Sequence, residues 1–392
     1  MKCRFEYFWN ADNADFQTRI SVGYLKIRAN LRCLHRRYLR SKTLIALIAC
    51  AGCARQNLPS AGGTITKEGF IDCFEDNLKA GDKPVWCEAS AVLYDGQKLL
   101  VANDKEMPDA RTSVFYYGYP FDSTQQPVYW PDTLLKKAQK YEDFSLSPDG
   151  KHAFLLTAFD RVKPNSSDWD GYNALIYWNT ANPKKLRMAH TQADEAFSMG
   201  LRQKISQTLR SEQFPAGVPY FKIEGLAATA THLYFGVREE GESYNKFQYE
   251  GKIVGVSYQF TQDSLAINAD FEVVTAFDFA AMQPHIIKPL GLSSIEYDAK
   301  RKLFWVLTSH ENKEQIGAYL WWATAEGFKK GQLNLVNNRA TGQPLYLNHK
   351  AEDLTILPDG RLFIIHDDDR FKTTIGSQIR QPHQAAYTII KF

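Results

Sequence analysis

Apolar and polar residues alternate along the body of the chain in short runs, and the runs recur. Five stretches share one order: EASAVLYDGQKLLVANDK from Glu88, KYEDFSLSPDGKHAFLLTAFDR over 140–161, EGLAATATHLYFGVREE from Glu224, LGLSSIEYDAKRKLFWVLTSHEN from Leu290 and KAEDLTILPDGRLFIIHDDDR over 350–370. Each has an alternating apolar run, a turn and a β-rich run, and Asp-Gly or Pro-Asp-Gly marks the corner in three of them. That is the strand–turn–strand signature. A third strand follows each hairpin (SVFYYGY, NALIYWNT, KIVGVSY, AYLWWAT, AYTIIKF), and a fourth follows most (PVYWPD, KKLRMAH, FEVVTAF, QLNLVN). Four-stranded units starting 54, 82, 66 and 62 residues apart predict an all-β fold, the β-propeller.

The last unit has only forty residues after its Glu352 and lacks a fourth strand, while TITKEGFID (64–72) stands unpaired ahead of the first unit. If that segment supplies the missing strand, the ring closes with five blades. Phe197, Leu201, Ile205 and Leu209 recur every fourth residue in the longest interval and predict a short helical insertion near 194–210. A six-bladed ring with a blade hidden there is the alternative, and it leaves no helix. Trp321-Trp322 alternates as a strand does and is expected to pack between blades.

Composition changes the picture mainly at the N-terminal end. A chain of 392 residues with 44% hydrophobic side chains buries a substantial core, which excludes general disorder. The net charge of +3 is misleading, because residues 1–49 hold ten basic and three acidic side chains and leave a body of −4. Such a body has no general attraction for nucleic acid. Within the leader, HRRYLRSK (35–42) is a basic region and TLIALIA (43–49) an apolar one. The apolar run is short of the ~20 residues that span a bilayer and has signal-peptide proportions. Leu47-Ile48-Ala49-Cys50 resembles a bacterial lipobox, which implies lipidation of Cys50 and, with Ala51 after it, an exported periplasmic or outer-membrane lipoprotein held to the membrane by its lipid alone. A signal peptide with simple cleavage is the plainer reading. The expected organisation is a leader and signal peptide over 1–49, a flexible tether over 50–63 and a propeller over 64–392. Cys73 and Cys87 remain in the body and are expected to form a disulfide in an exported chain, with two buried thiols as the alternative.

Charged residues gather at one end of the hairpins. The start of a first strand lies beside the end of the second, so Glu88, Glu142, Glu224 and Glu352 share a face with Asp104-Lys105, Asp160-Arg161, Arg238-Glu239, His310-Glu311 and Asp369-Arg370. First strands are innermost in a propeller, so the four Glu are expected to converge on the axis. Converging carboxylates need a positive partner: a hard cation, or the neighbouring Lys and Arg. The structural alternative ties each Glu to backbone amides of its own blade.

Several patches are similar to soluble calcium-activated nucleotidases (apyrases), which are five-bladed propellers with an axial calcium. GLSSIEYDAKRKLFWVLTSHE resembles their Gly-Phe-Ser-Ser stretch, VREEGESY (237–244) their Arg-x3-Glu-x-Tyr run and KAEDLTIL their Glu-Gly-Ile-Glu-Phe segment. The resemblance implies calcium as cofactor, with Ser90, Glu142, Glu224, Ser293 or Ser294, and Glu352 around it, and it adds Glu242 to the candidate catalytic residues. The family's Asp-Asp-Arg-Thr-Gly is Asn103-Asp104-Lys105-Glu106 here, and its Lys-Glu-Trp segment is absent. Gluconolactonase-like and phytase-like propellers share the Glu-Gly-Leu type of repeat.

Phosphoryl transfer asks chiefly for positioning and positive charge, which Arg forks supply. Arg161, Arg238 and Arg370 with Lys105 are the candidate clamp, and Asp104, Asp160 and Asp367 the candidates to orient water. The plainer readings are a solvated loop for Asp367-Asp368-Asp369 and hydrogen-bonded structural roles for His310 and His366. Gly-x-Ser-x-Gly, His-Glu-x-x-His and a phosphate-binding Gly loop are all missing, which disfavours serine hydrolases, zinc proteases and P-loop enzymes. Two classes remain. One is a calcium-dependent hydrolase acting on a small phosphorylated substrate, with a lactonase or esterase as variant. The other is a non-catalytic envelope lipoprotein whose axial face binds a ligand or protein.

Overall fold

The computed structural model describes Pro59 and residues 62–392 apart from 193, 194, 313, 314 and 370. The leader, Cys50 and most of the tether lie outside these residues. The described chain forms five antiparallel blades. From the inside outwards, blade 1 is Ala89–Tyr94, Lys98–Asn103, Val114–Gly118 and Val128–Tyr129, and blade 2 is Tyr141–Leu146, His152–Thr157, Leu175–Asn179 and Arg187–Met188. Blade 3 runs Tyr220–Ala228, His232–Ser243 and Lys246–Thr261, with Ser264–Ile267 and Glu272–Ala276 both on its third strand. Blade 4 is Gly291–Asp298, Leu303–Glu311 and Ile316–Thr324, edged by Asn334–Leu335 and Tyr346–Leu347. Blade 5 is Ala351–Ile356, Leu362–His366 and Gln384–Lys391, and its outer strand is Thr64–Asp72 from the other end of the chain. Thr64 faces Lys391 and Asp72 faces Gln384. Each inner strand packs against the next, and the last against the first, so the ring is closed.

Alternation along the strands explains the core. Successive side chains point to opposite faces of a blade, and five hydrophobic clusters result, one in each gap between neighbouring blades. Trp321 enters the gap between blades 3 and 4, and Trp322 the gap between 4 and 5. The longest interval holds the helix Met199–Thr208, whose Leu201 and Ile205 pack into the gap between blades 2 and 3. No sixth blade forms among the described residues. The hairpin corners follow their sequence: Gly150 and Gly360 have φ of 71° and 81°, while Asp149 and Asp359 accept hydrogen bonds from the amides of Lys151 and Arg361.

A β-bulge interrupts every inner strand at the same place. The extra residue is Ser90, Glu142, Glu224, Ser293 or Glu352, in blade order. Bulges re-aim side chains, and here two neighbours in sequence both serve the axis. The residue after the bulge staples blades together where it is Asp. Asp353 Oδ2 accepts from the amides of Val92 (2.7 Å, blade 1) and Phe144 (3.3 Å, blade 2), while Oδ1 accepts from Ser294 Oγ (2.8 Å, blade 4) and the amide of Leu354. Asp143 accepts from Leu226 N of blade 3 at 2.7 Å. Two residues further on, Thr355 and Ser145 accept from Tyr94 N and Ala228 N in the same two directions.

The seam between blades 5 and 1 is also covalent. Cys73 follows the closing strand, Cys87 precedes the inner strand of blade 1, and the two form a disulfide. Arg380 braces the seam by donating to Cys87 O, to Asp369 O at 2.7 Å and to Gln384 O at 2.8 Å.

The staple generates a contrast between two substitutions. Burial, with Asp353 close by, pushes the Asp143 carboxyl well above the usual range. Asp143→Asn keeps an oxygen to accept from Leu226 N and should cost under about 1 kcal/mol, whereas Asp353→Ala strands three buried donors from other blades and should cost about 3 kcal/mol or more. Urea denaturation of both variants measures the difference.

Candidate functional site

The bulges deliver the site. Glu142, Glu224 and Glu352, from blades 2, 3 and 5, are all buried and bring one carboxylate oxygen each within 4.8 Å of one another. Ser90 and Ser293 occupy the equivalent places in blades 1 and 4, but their hydroxyls are engaged by protein. Ser90 Oγ donates to Tyr141 O, and Ser293 Oγ pairs with Ser309 Oγ at 2.7 Å and accepts from Arg238. Glu88 does not join the three. It lies two residues before its bulge and gathers instead with Asp367 and Asp369, which corrects the expectation of four converging Glu.

The charge that answers these carboxylates comes from the strands that carry them. Each blade with a bulge Glu has a Lys two residues earlier: Lys140-Tyr141-Glu142, Lys222-Ile223-Glu224 and Lys350-Ala351-Glu352. Lys222 Nζ lies 3.2 Å from Glu142 Oε1 and also contacts Glu224 Oε1. Lys350 Nζ lies 3.1 Å from Glu352, 3.3 Å from Asp369 and 3.4 Å from Glu311. Lys140 is turned outward to Asp160 at 2.7 Å. Arg238 approaches Glu224 Oε2 at 3.0 Å and donates to Leu292 O, Ser293 Oγ and Ser309 Oγ. It passes directly over Gly291, where a Cβ would stand 2.8 Å from its Cζ, so the blade 4 strand needs glycine there.

These contacts leave the carboxylates unequal. Burial pushes Glu142 well up despite Lys222, and Glu224 beside it adds to the rise. Burial also lifts Glu352, held back by Lys350, to about 7. Glu224 is buried too, yet Arg238 and Lys222 hold it below the usual range. Glu142 Oε1 and Glu224 Oε2 receive no aligned hydrogen bond although cations lie near them. Buried oxygens of this kind suit an additional positive partner.

A second ring surrounds the three Glu. Lys105 bridges Glu88 at 2.8 Å and Asp104 at 3.5 Å. Burial alone would raise Asp104, but Lys140, Lys105, Lys222 and Lys350 hold it low. Asp160 is buried between Lys140 and Arg161, which lies 3.3 Å away with its guanidinium over Tyr172 and Tyr244. Glu88, Lys105, Glu311, Asp369 and Phe371 line an open cavity of about 520 Å³ at the mouth.

Several expected residues change role. Arg238 is buried and spent on blade 4, so it is not at the mouth to clamp a phosphate. Glu242 is exposed near the tip of the long blade 3 hairpin, paired with Lys246 at 2.7 Å, and joins none of the axial contacts above. Arg370 lies outside the described residues. Asp367 and Asp368 are buried rather than solvated, and Asp368 accepts from His349 Nδ1, Lys350 N and Thr373 Oγ1. His310 and His366 are both buried, bonded to Tyr346 Oη and Thr388 Oγ1. Sequence reasoning missed Lys140, Lys222 and Lys350, although the Lys-x-Glu spacing, written three times at the starts of first strands, was a usable signal.

No family model matches the chain, and no curated protein matches it significantly in sequence. Solved structures resemble it at a distance. One is described as a member of the GH130 family of mannoside phosphorylases, a family containing glycoside hydrolases that target β-1,2 mannosidic linkages in Candida mannan (9% identity, TM-score 0.40, 82% of this chain and 93% of that one). Another is the catalytic domain of the Coprinopsis cinerea GH62 α-L-arabinofuranosidase (9%, 0.39, 84% and 96%). A third is the PQQ-bound aldose sugar dehydrogenase of Streptomyces coelicolor (11%, 0.28, 84% and 100%). Likeness at this level says nothing of activity, and the five blades rest on the sheets described above.

The histidine layer gives a pH signature. Burial, then the neighbouring His349, pushes His366 down to about 3. The folded ring stays neutral while the unfolded one takes a proton below about 6.5, so this contribution is present above that pH and is lost as pH falls towards 3. His366→Gln should therefore cost stability at neutral pH, with the gap to wild type narrowing by about pH 4.5. Paired thermal melts across that range measure it.

Proposed function

We propose that the axial face binds a hard divalent cation, calcium by preference, at Glu142, Glu224 and Glu352, and hydrolyses a phosphate ester or anhydride of a small molecule at the adjoining mouth. One observation carries the reading: three buried carboxylates from three blades lie within 4.8 Å of one another, and two of their oxygens lack an aligned donor. The donor set is oxygen only, with no His or Cys among the three, and calcium takes six to eight such ligands. Water would supply most of the remainder, because Ser90 and Ser293 are engaged elsewhere. A bound cation would contribute Lewis-acid polarisation of a phosphoryl oxygen. Around it, Arg161 and Lys105 offer positive charge at the rim, and Asp104, held ionised by its lysines, offers an acceptor for a water proton. The resemblance of the Ser-Ser, Arg-x3-Glu-x-Tyr and Glu-Asp segments to calcium-activated nucleotidases favours this class over a lactonase.

A non-catalytic binding face is the second reading. It is favoured by the pairing at the mouth, where Lys105, Lys140 and Arg161 each already have a carboxylate within 4.0 Å. In either case we place the protein outside the cytoplasm, anchored through lipid at Cys50, on the strength of Leu47-Ile48-Ala49-Cys50 behind a basic segment. Mass spectrometry of the mature N-terminus should find an acylated Cys, and an unmodified terminus downstream would remove that part.

The cation is tested by thermal melts of residues 59–392 in EDTA and in millimolar calcium. Binding to the native state alone raises Tm with free calcium, and Glu224→Gln, which keeps shape and removes a charge, should weaken the rise. Identical melts in the two buffers would end the calcium reading. A screen of nucleotides, phytate, p-nitrophenyl esters and lactones with and without calcium then separates hydrolase from binding protein. Calcium-dependent release of phosphate is the expected result.

A further inference from the structure

We infer that Lys222 is an internal cation that holds the seat of the divalent ion, and that ion binding proceeds by exchange with its ammonium group. The inference rests on the cation reading above and adds a mechanism to it. Lys222 Nζ touches two of the three carboxylates, 3.2 Å from Glu142 Oε1 and in contact with Glu224 Oε1. A divalent ion bound to both would sit about 2.3–2.6 Å from their oxygens. Two cations cannot share that space.

Charge leads to the same place. Glu142, Glu224 and Glu352 are met by Lys222, Lys350 and Arg238, so three cationic side chains already stand against the three carboxyl groups. Adding a divalent ion with every side chain in place would crowd a fourth cation among groups at most 15% exposed, a costly arrangement. One resident cation has to leave.

Only Lys222 is free to do so. Arg238 is fixed by Leu292 O, Ser293 and Ser309. Lys350 is shared with Asp369 and Glu311 and keeps partners if Glu352 turns to an ion. Among the described residues the ion pairs of Lys222 are Glu142 and Glu224 alone. Its four-carbon stem is flexible, and two further carboxylates, Glu239 and Asp104, attract it from nearby. Swinging to Asp104 would place its charge beside Lys105 at the mouth, so the loaded site would present a more positive rim than the empty one.

Calorimetric titration with calcium chloride of wild type and Lys222→Met, which keeps the stem and drops the charge, tests the exchange. The variant should bind calcium about tenfold or more tightly than wild type, since a buried unit charge at this range is worth that much, and should melt lower in EDTA. Equal or weaker binding by the variant overturns the exchange while leaving the cation reading intact. Binding by the variant alone supports Lys222 as occupant and removes the cation from the wild-type function. Binding by neither overturns both. If the variant does not fold, wild type still decides the matter through amine-reactive labelling quantified by mass spectrometry. Lys222 should label several-fold faster in calcium than in EDTA, and unchanged labelling overturns the exchange.

Discussion

The Asp353 carboxylate, fully buried on the axis, accepts hydrogen bonds from groups on blades 1, 2, 4 and 5. Five inner strands cannot pair with one another as a sheet does, because they radiate from a common centre. Their inward amides would be orphaned, and a buried orphan costs free energy comparable to a lost hydrogen bond. A carboxylate with two oxygens and about four acceptor positions satisfies several at once. Asp143 repeats the device towards blade 3. The axis is therefore held by side chain to backbone contacts, and the apolar clusters between the blades hold everything outside it.

Immediately above this layer lies a chemically different one. Glu142-Asp143 and Glu352-Asp353 are adjacent in sequence, yet the first residue of each pair meets a Lys while the second meets amides. The bulge between them makes this possible, since without the extra residue neighbours would face opposite sides of the strand. An acidic pair at a strand start thus serves two tiers, one of carboxylate–amide staples and one of carboxylate–lysine pairs. The two functions are separated by a single peptide unit.

Much of this was legible in the sequence because it depends on periodicity. Alternating runs, Pro-Asp-Gly corners and the unpaired TITKEGFID segment led to five blades and to the closing strand. The order Ser90, Glu142, Glu224, Ser293, Glu352 also appeared, but only through resemblance, since periodicity cannot show a bulge. Glu88 was misplaced for that reason: counted from the apparent motif start it matches the other Glu, whereas counted from the bulge it is two residues early. Arg238 is expected in the phosphate clamp from Val-Arg-Glu-Glu, and only the gap above Gly291, a contact across blades, shows it to be buried. Glu242 was carried over from a spacing, and the length of the blade 3 hairpin takes it away from the axis.

Thr64 and Lys391 face each other across two neighbouring strands of one blade, so the beginning and the end of the described chain meet inside a sheet. A ring closed in this way has no first blade. Its connectivity can be cut in any exposed turn and rejoined at the old ends without altering a single inter-blade contact, and Gly342 and Gly376, with open space around them, stand at two such turns. The same geometry governs synthesis. Blades 1 to 4 can take shape as the chain emerges, but Thr64–Asp72, made first, must wait for Gln384–Lys391, made last, and until then a sheet edge lies open to other chains.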